Sequence, residues 1–159
     1  MRPSLTLWLA LAGIVIVLDQ ATKALIMGSW VLGESVTVTS FFNIVFVFNA
    51  GASFSFLADA GGWQRWLFVS LALVISVWLF ALLRQHAREK LLPMALAMIL
   101  GGALGNVIDR LRFGAVVDFL DFFAAGWHFP AFNIADSAIS VGVALTLWHQ
   151  LTTEDPSHE

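Results

Sequence analysis

The chain has 159 residues, the length of a single domain, and its composition is strongly apolar. Hydrophobic residues make up 59% of it and charged residues only 12%, against roughly half and a quarter in soluble domains. A core of this size cannot bury that excess, so most of the chain is expected to lie in lipid. The lack of Cys excludes disulfides and thiol chemistry, and the net charge of −3 gives no basic footprint for nucleic acid.

Four long apolar segments predict four membrane-spanning helices, since crossing the hydrocarbon takes about 20 apolar residues. Residues 66–83 and 91–108 carry no charge, whereas the first and last segments contain Asp19, Lys23 and Asp136. We therefore predict an all-α polytopic membrane protein that forms one integral-membrane domain over residues 1–159. The predicted spans are about 5–27, 65–84, 91–110 and 132–151.

The charges near the segment ends predict an orientation in the membrane. Arg2 and the apolar run after it resemble a signal peptide, but no small-residue cleavage site follows, so the first span is predicted to stay uncleaved. Arg84, Arg88 and Lys90 crowd the second connection, while residues 31–64 hold no Lys or Arg. By the positive-inside rule, this second connection and both termini are predicted to face the cytoplasm.

The connection after the first span is predicted to be more than a loop. Ser35–Thr39 alternates and is β-branched, and Asn43–Phe48 is also strand-like. We predict a small extracytoplasmic β element over about 31–57, with a further extended segment at 115–120.

Polar side chains at membrane depth are costly, and they mark functional candidates. With helix directions alternating, the candidates here all reach the outer leaflet. They are Asp19 with Lys23, Asn106 with Asp109 and Arg110, Asp118 with Asp121, and Asn133 with Asp136. Several acids at one depth repel one another unless they share protons or hold a cation.

Structural roles compete with functional ones at each of these positions. Asp19 and Lys23 are four residues apart, so we expect a structural ion pair on one helix face. Gly101 and Gly105 predict a close-packing face of the third helix. The remaining structural interpretations are an ion pair (Asp109 with Arg110), bonds to a neighbouring helix (Asn106 and Asn133) and simple solvation (Asp121).

Two adjacent carboxylates can hydrolyse a peptide bond, because one keeps a proton while the other activates water. The four His are scattered without metal-binding spacing, and neither a phosphate loop nor a nucleophile elbow is present. A proton-coupled transporter is the main alternative, but it predicts acids through the whole membrane depth, and the inner halves of the spans hold none. A non-catalytic membrane scaffold is a third interpretation, which leaves the polar cluster without a purpose.

Five short blocks along most of the chain resemble the bacterial lipoprotein signal peptidases, the signal peptidase II family. They are DQATK at 19–23, FNAGASF at 48–54, GGALGNVIDR at 101–110, VVDF at 116–119 and FPAFNIADS at 129–137. Each block alone is a weak signal, but their shared order and spacing make the set specific.

The resemblance implies an intramembrane aspartyl endopeptidase with four spans and a periplasmic β-cradle. Its substrates would be prolipoproteins whose lipobox Cys carries diacylglycerol, cut just before that Cys. By the same resemblance Asp118 and Asp136 are the catalytic pair, with no metal or cofactor, in an enzyme expected to be a monomer among membrane lipids. The supporting residues carried over are Asp19, Lys23, Asn49, Gly51, Asn106, Asp109, Arg110 and Asn133. On the residues alone, Asp109 remains a rival partner for Asp136.

Overall fold

The computed structural model describes residues 3–51 and 61–153, which form helices and a small antiparallel sheet. The helices are α1 (Leu5–Ser29), α2 (Gln64–Gln85), α3 (Leu91–Phe113) and α4 (Ile134–Thr153). The strands are β1 (Ser35–Thr39), β2 (Phe42–Asn49), β3 (Val116–Ala124) and β4 (Trp127–His128).

Within the described residues, three helices are long and apolar enough to cross a membrane. They are α1, α2 and α3, with mean hydropathies of 1.8, 2.5 and 2.0. Helix α4 has 20 residues, but it is not among them. Asp136 near its start and His149 and Gln150 near its end lower its mean hydropathy. A fourth span therefore stays a prediction.

Two helix ends differ from the predicted ones for identifiable reasons. Helix α3 runs on to Phe113, and it ends where Gly114 adopts a left-handed conformation with its N–H bonded to the carbonyl of Arg110. Helix α4 begins at Ile134 rather than 132, because the side chain of Asn133 caps it.

Helix α3 is the centre of the bundle and packs against α1, α2 and α4. A Cβ added at Gly101 would lie 2.7 Å from the carbonyl oxygen of Ala12 in α1. One added at Gly105 would lie 2.7 Å from Oδ2 of Asp19. The predicted small-residue face is thus confirmed, and it allows α1 to bring a carboxylate against the backbone of α3.

The sheet has the order β1-β2-β3-β4 and covers the C-terminal end of α1. Strand β3 is longer than the predicted segment 115–120 and ends at Ala124, and β4 was not predicted. Ile26 of α1 packs beneath the sheet with Phe46 of β2 and Val117 and Phe119 of β3. This packing holds the start of β3 over the helix bundle.

The orientation in the membrane is a prediction that single cysteines can test, since the chain has no Cys of its own. Gln85, at the end of α2, and Ser40, between β1 and β2, are both exposed. A Gln85→Cys variant should react with an impermeant thiol reagent only from the cytoplasmic side, and Ser40→Cys only from the outside. The reverse pattern would overturn the orientation.

Candidate functional site

A buried group of three charges joins α1 to α3. Nζ of Lys23 lies 2.8 Å from Oδ2 of Asp19 and 2.7 Å from Oδ2 of Asp109, and all three side chains are at most 1% exposed. The predicted pair of Asp19 and Lys23 is confirmed, but it has a third member. The interpretation of Asp109 and Arg110 as an ion pair is wrong, because Nη2 of Arg110 instead donates to the carbonyl oxygen of Gly51, 3.1 Å away.

Two asparagines connect this charged group to two further carboxylates. Asn106 accepts a hydrogen bond from Nζ of Lys23 at 3.0 Å and donates to Oδ1 of Asp136 at 2.8 Å. Asn133 donates from Nδ2 to Oδ1 of Asp118 at 2.7 Å. The same Nδ2 lies 3.3 Å from Oδ1 of Asn106, so one amide network contacts both carboxylates.

The pairing of β2 with β3 places Asp118 beside this network. Asn49, at the end of β2, donates from Nδ2 to Oδ2 of Asp118 at 3.2 Å. Oδ1 of Asn49 accepts the N–H of Gly51 at 3.0 Å, which fixes the orientation of the amide. Asp118 is 2% exposed. The bond to Asn133 places the Asp118 carboxylate beside the start of α4.

The first turn of α4 carries Asp136, and two side chains hold that turn in place. Oδ1 of Asn133 accepts the N–H of Asp136 at 2.9 Å, as an N-cap does. Oδ1 of Asp19 accepts the N–H of Ala135 at 3.0 Å. The carboxylate of Asp19 therefore serves both the ion pair with Lys23 and the start of α4.

Asn43, Asp121 and His128 form a separate polar cluster on the sheet. The interpretation of Asp121 as simply solvated is wrong, because its carboxylate is buried and accepts a hydrogen bond from Nδ2 of Asn43 at 2.8 Å. Nδ1 of His128 lies 2.9 Å from the same carboxylate. The register of β2 and β3 sets Asn43 opposite Asp121. The hydrogen bonds that the structure describes for the side chains of Asn43 and His128 go to Asp121.

The sequence analysis assigns no role to Gln20, although it lies inside the block 19–23. Its Nε2 donates to Oδ1 of Asp109 at 2.7 Å. The sequence signal that points to Gln20 is its position between Asp19 and Lys23, the charged residues of an otherwise apolar helix.

Burial, with a smaller contribution from the nearby charge of Asp136, raises the pKa of the Asp118 carboxyl to about 7. Hydrogen bonds from Asn49 and Asn133 and the charge of Lys23 act against this rise. Near neutral pH the region around Asp118 and Asp136 can therefore retain a proton, as general acid–base chemistry requires.

The raised pKa predicts how Asp118 affects stability. A carboxyl whose pKa is raised on folding stabilises the fold fully below its unfolded pKa, and this contribution is lost as the pH rises through about 7. Asp118→Asn should therefore gain melting temperature over the wild type by several degrees at about pH 8 and by much less at about pH 4.5. A difference between the two proteins that does not change with pH would contradict the assignment.

Comparison with known proteins identifies the family. A sequence model of Signal peptidase (SPase) II matches residues 11–152. The chain belongs to the signal peptidase II family. It is 58% identical over 144 residues to the lipoprotein signal peptidase of Azoarcus sp. (strain BH72), covering 91% of this chain and 82% of that one. It is 53% identical over 145 residues to the lipoprotein signal peptidase of Cupriavidus pinatubonensis, with coverage of 91% and 82%.

Solved structures agree with this signal peptidase II membership. A bacterial membrane enzyme determined by the in meso method at 2.3 Å resolution superposes with a TM-score of 0.86 at 31% identity, covering 100% of this chain and 98% of that one. A second one, at 1.9 Å resolution, gives 0.82 at 30% identity, with coverage of 97% and 98%. The chain is thus a bacterial membrane peptidase of the lipoprotein-processing type, and the transporter and scaffold alternatives are set aside.

Proposed function

We propose that this signal peptidase is an intramembrane aspartyl endopeptidase that cuts diacylglyceryl-modified prolipoproteins just before the lipidated Cys. The observation that carries the aspartyl mechanism is the shared setting of Asp118 and Asp136. Asp118 accepts a hydrogen bond from the amide of Asn133, Asp136 accepts one from the amide of Asn106, and the two amides contact each other. Two carboxyl groups in one buried polar network, one of them with a pKa near neutrality, are suited to sharing a proton.

The reaction proposed for this pair is the direct attack of water on the scissile carbonyl. The ionised carboxylate takes a proton from water, whose oxygen bonds to the carbonyl carbon, while the protonated carboxyl gives its proton to the carbonyl oxygen. The tetrahedral diol then collapses, the carbon–nitrogen bond breaks, and the proton held by the first carboxylate passes to the departing nitrogen. As the product carboxyl group forms, one hydroxyl of the diol returns its proton to the second carboxylate. The pair ends with one proton again, so it is ready for another cycle.

The surrounding residues are proposed to hold this pair rather than to react. Lys23 sits at the end of the hydrogen-bonded chain that runs through Asn106 to Asp136, so its positive charge favours the ionised member. Asn49 donates to Oδ2 of Asp118 and accepts the N–H of Gly51. The carbonyl oxygen of Gly51 accepts a hydrogen bond from Arg110. These contacts join the sheet to α3 across the proposed site.

The location of the pair supports a substrate that lies in the membrane. Asp136 is in the first turn of α4, and Asp118 lies in β3, four residues after Gly114, where α3 ends. Both positions lie at the ends of apolar helices, where the cut site of a membrane-embedded signal peptide would emerge. We further propose four spans, a site on the periplasmic side and a monomeric enzyme.

The proposal is tested with one prolipoprotein prepared with and without diacylglycerol on its lipobox Cys. The purified enzyme should release the signal peptide only from the modified form, leaving the lipidated Cys as the new N-terminus by mass spectrometry. Equal cleavage of both forms would remove the lipid requirement, and a product that begins at another residue would remove the proposed cut site.

A further inference from the structure

Gln20 is the polar residue nearest to the proposed site for which neither the family blocks nor the mechanism above supplies a role. Its Nε2 lies 2.7 Å from Oδ1 of Asp109, 3.2 Å from the carbonyl oxygen of Gly105 and 3.2 Å from Oδ2 of Asp19. An amide nitrogen has two protons, so it cannot donate fully to all three acceptors. The bond to Asp109 is the shortest of the three and goes to a carboxylate, so it is the strongest.

The bond from Gln20 determines how the carboxylate of Asp109 is turned. Oδ2 of Asp109 contacts Nζ of Lys23 at 2.7 Å and accepts the backbone N–H of Val117 at 3.1 Å. Oδ1 faces the other way, toward Gln20. With both oxygens held, the carboxylate cannot rotate away from Val117 without breaking a charge-assisted hydrogen bond.

Val117 directly precedes Asp118 in β3, and its backbone is held from both sides. Its N–H donates to Asp109, and its carbonyl oxygen accepts from Nδ2 of Asn133 at 3.2 Å. The side chain of Val117 is fully buried. A change in the orientation of Asp109 therefore passes directly to the peptide that carries Asp118.

We propose that Gln20 is a positioning residue for Asp118, acting through the carboxylate of Asp109 and the backbone of Val117. The inference rests on the proposed aspartyl function of this site. Its physical basis is that misplacing a reacting group by about 1 Å can cost on the order of 10²-fold in rate. Gln20 does not contact substrate in this role, so it should affect turnover more than substrate affinity.

The Gln20→Glu variant gives this role a signature in pH. A neutral Glu can donate one hydrogen bond to Asp109 as the amide does, but an ionised Glu is repelled by it. The charged groups that the contacts place around position 20 are Asp19 and Lys23 on α1 and Asp109 on α3. Acids predominate, so ionisation of the new Glu should be disfavoured and should occur within a measurable pH range.

The experiment compares kcat and KM of Gln20→Met, Gln20→Glu and wild type on the lipidated prolipoprotein, at equal amounts of folded enzyme. Thr22→Val is the matched control, because within residues 3–51 and 61–153 the Thr22 hydroxyl on the same helix bonds only to the backbone carbonyls of Leu18 and Asp19. Gln20→Met should lower kcat about tenfold or more with KM nearly unchanged. Gln20→Glu should approach the wild-type kcat at low pH, and its ratio to wild type should fall as the pH rises.

The outcomes separate this inference from the function on which it rests. If the wild type and Thr22→Val do not cleave, the proposed function fails and the inference fails with it. If they cleave and Gln20→Met matches them, the role of Gln20 alone is overturned. A constant ratio of Gln20→Glu to wild type across pH, or loss of folded protein in both variants, would also overturn it.

Discussion

Asp118→Asn and Asp136→Asn should each abolish cleavage of the lipidated prolipoprotein, and the double variant should be no less active than either single one. Both carboxyl groups are needed in the same step, so removing the second costs nothing further once the first is gone. We expect each single change to lower kcat by about 10³-fold or more. Asn retains the shape of Asp, so the variants should still fold. The measurement is single-turnover cleavage at equal concentrations of folded enzyme.

Losses that multiply in the double variant would contradict a shared step. They would indicate that the two carboxylates act independently, for example one in binding and one in chemistry. Asp121→Asn is a useful control, since Asp121 lies in the same strand as Asp118 but bonds to Asn43 and His128. That variant should keep near wild-type activity wherever it folds.

Lys23→Met should be among the most destabilising single changes in the chain. It removes the only cation that contacts Asp19 and Asp109 within the described residues. Two buried carboxylates, 0% and 1% exposed, are left without it. Breaking a buried ion pair from one side costs about 3–5 kcal/mol. Asp19→Asn should cost less, because Lys23 keeps its contact with Asp109. Thermal unfolding in detergent micelles measures both changes.

Two further variants make the test of Lys23 specific. Lys90→Met removes an exposed Lys at the start of α3, and its melting temperature should stay near that of the wild type. Adding Asp109→Asn to Lys23→Met removes one of the stranded charges and should restore part of the lost stability. If Lys23→Met has the same melting temperature as Lys90→Met, Lys23 does not stabilise the buried carboxylates of Asp19 and Asp109.

The helices could be predicted from the sequence because their signal is local. Each apolar run is long enough on its own to indicate a span, and the small-residue spacing at Gly101 and Gly105 reports a packing face directly. Strands β1 and β2 could likewise be predicted, because their sequences are rich in β-branched residues or strand-like in pattern. Strand β4 has two residues, too few to give any pattern.

The partners of the polar residues could not be predicted in the same way. Lys23 meets Asp109 because α1 packs against α3, and no spacing in either helix specifies that contact. The bond between Asn43 and Asp121 depends on the register of β2 and β3, which a single residue of slip would abolish. Sequence spacing identified which residues share a depth, and tertiary packing decided which of them touch.

The assignment of Asp118 rather than Asp109 as the partner of Asp136 is the central claim, and the geometry gives the two residues different surroundings. Asp109 accepts bonds from Lys23, Gln20 and the backbone N–H of Val117, so both of its oxygens are occupied and its carboxylate is fixed in place. Asp118 accepts hydrogen bonds from the side-chain amides of Asn49 and Asn133, and burial raises its pKa to about 7.

Cleavage of the lipidated prolipoprotein by Asp118→Asn and by Asp109→Asn, each normalised to its folded fraction, tests this claim most directly. The account predicts that Asp118→Asn is well folded and inactive. Asp109→Asn should instead show a lowered melting temperature and should keep measurable cleavage per folded molecule, because it removes a supporting charge and not a reacting group. A well-folded Asp118→Asn enzyme that still cleaves, beside a well-folded Asp109→Asn enzyme that does not, would show that Asp109 is the partner of Asp136.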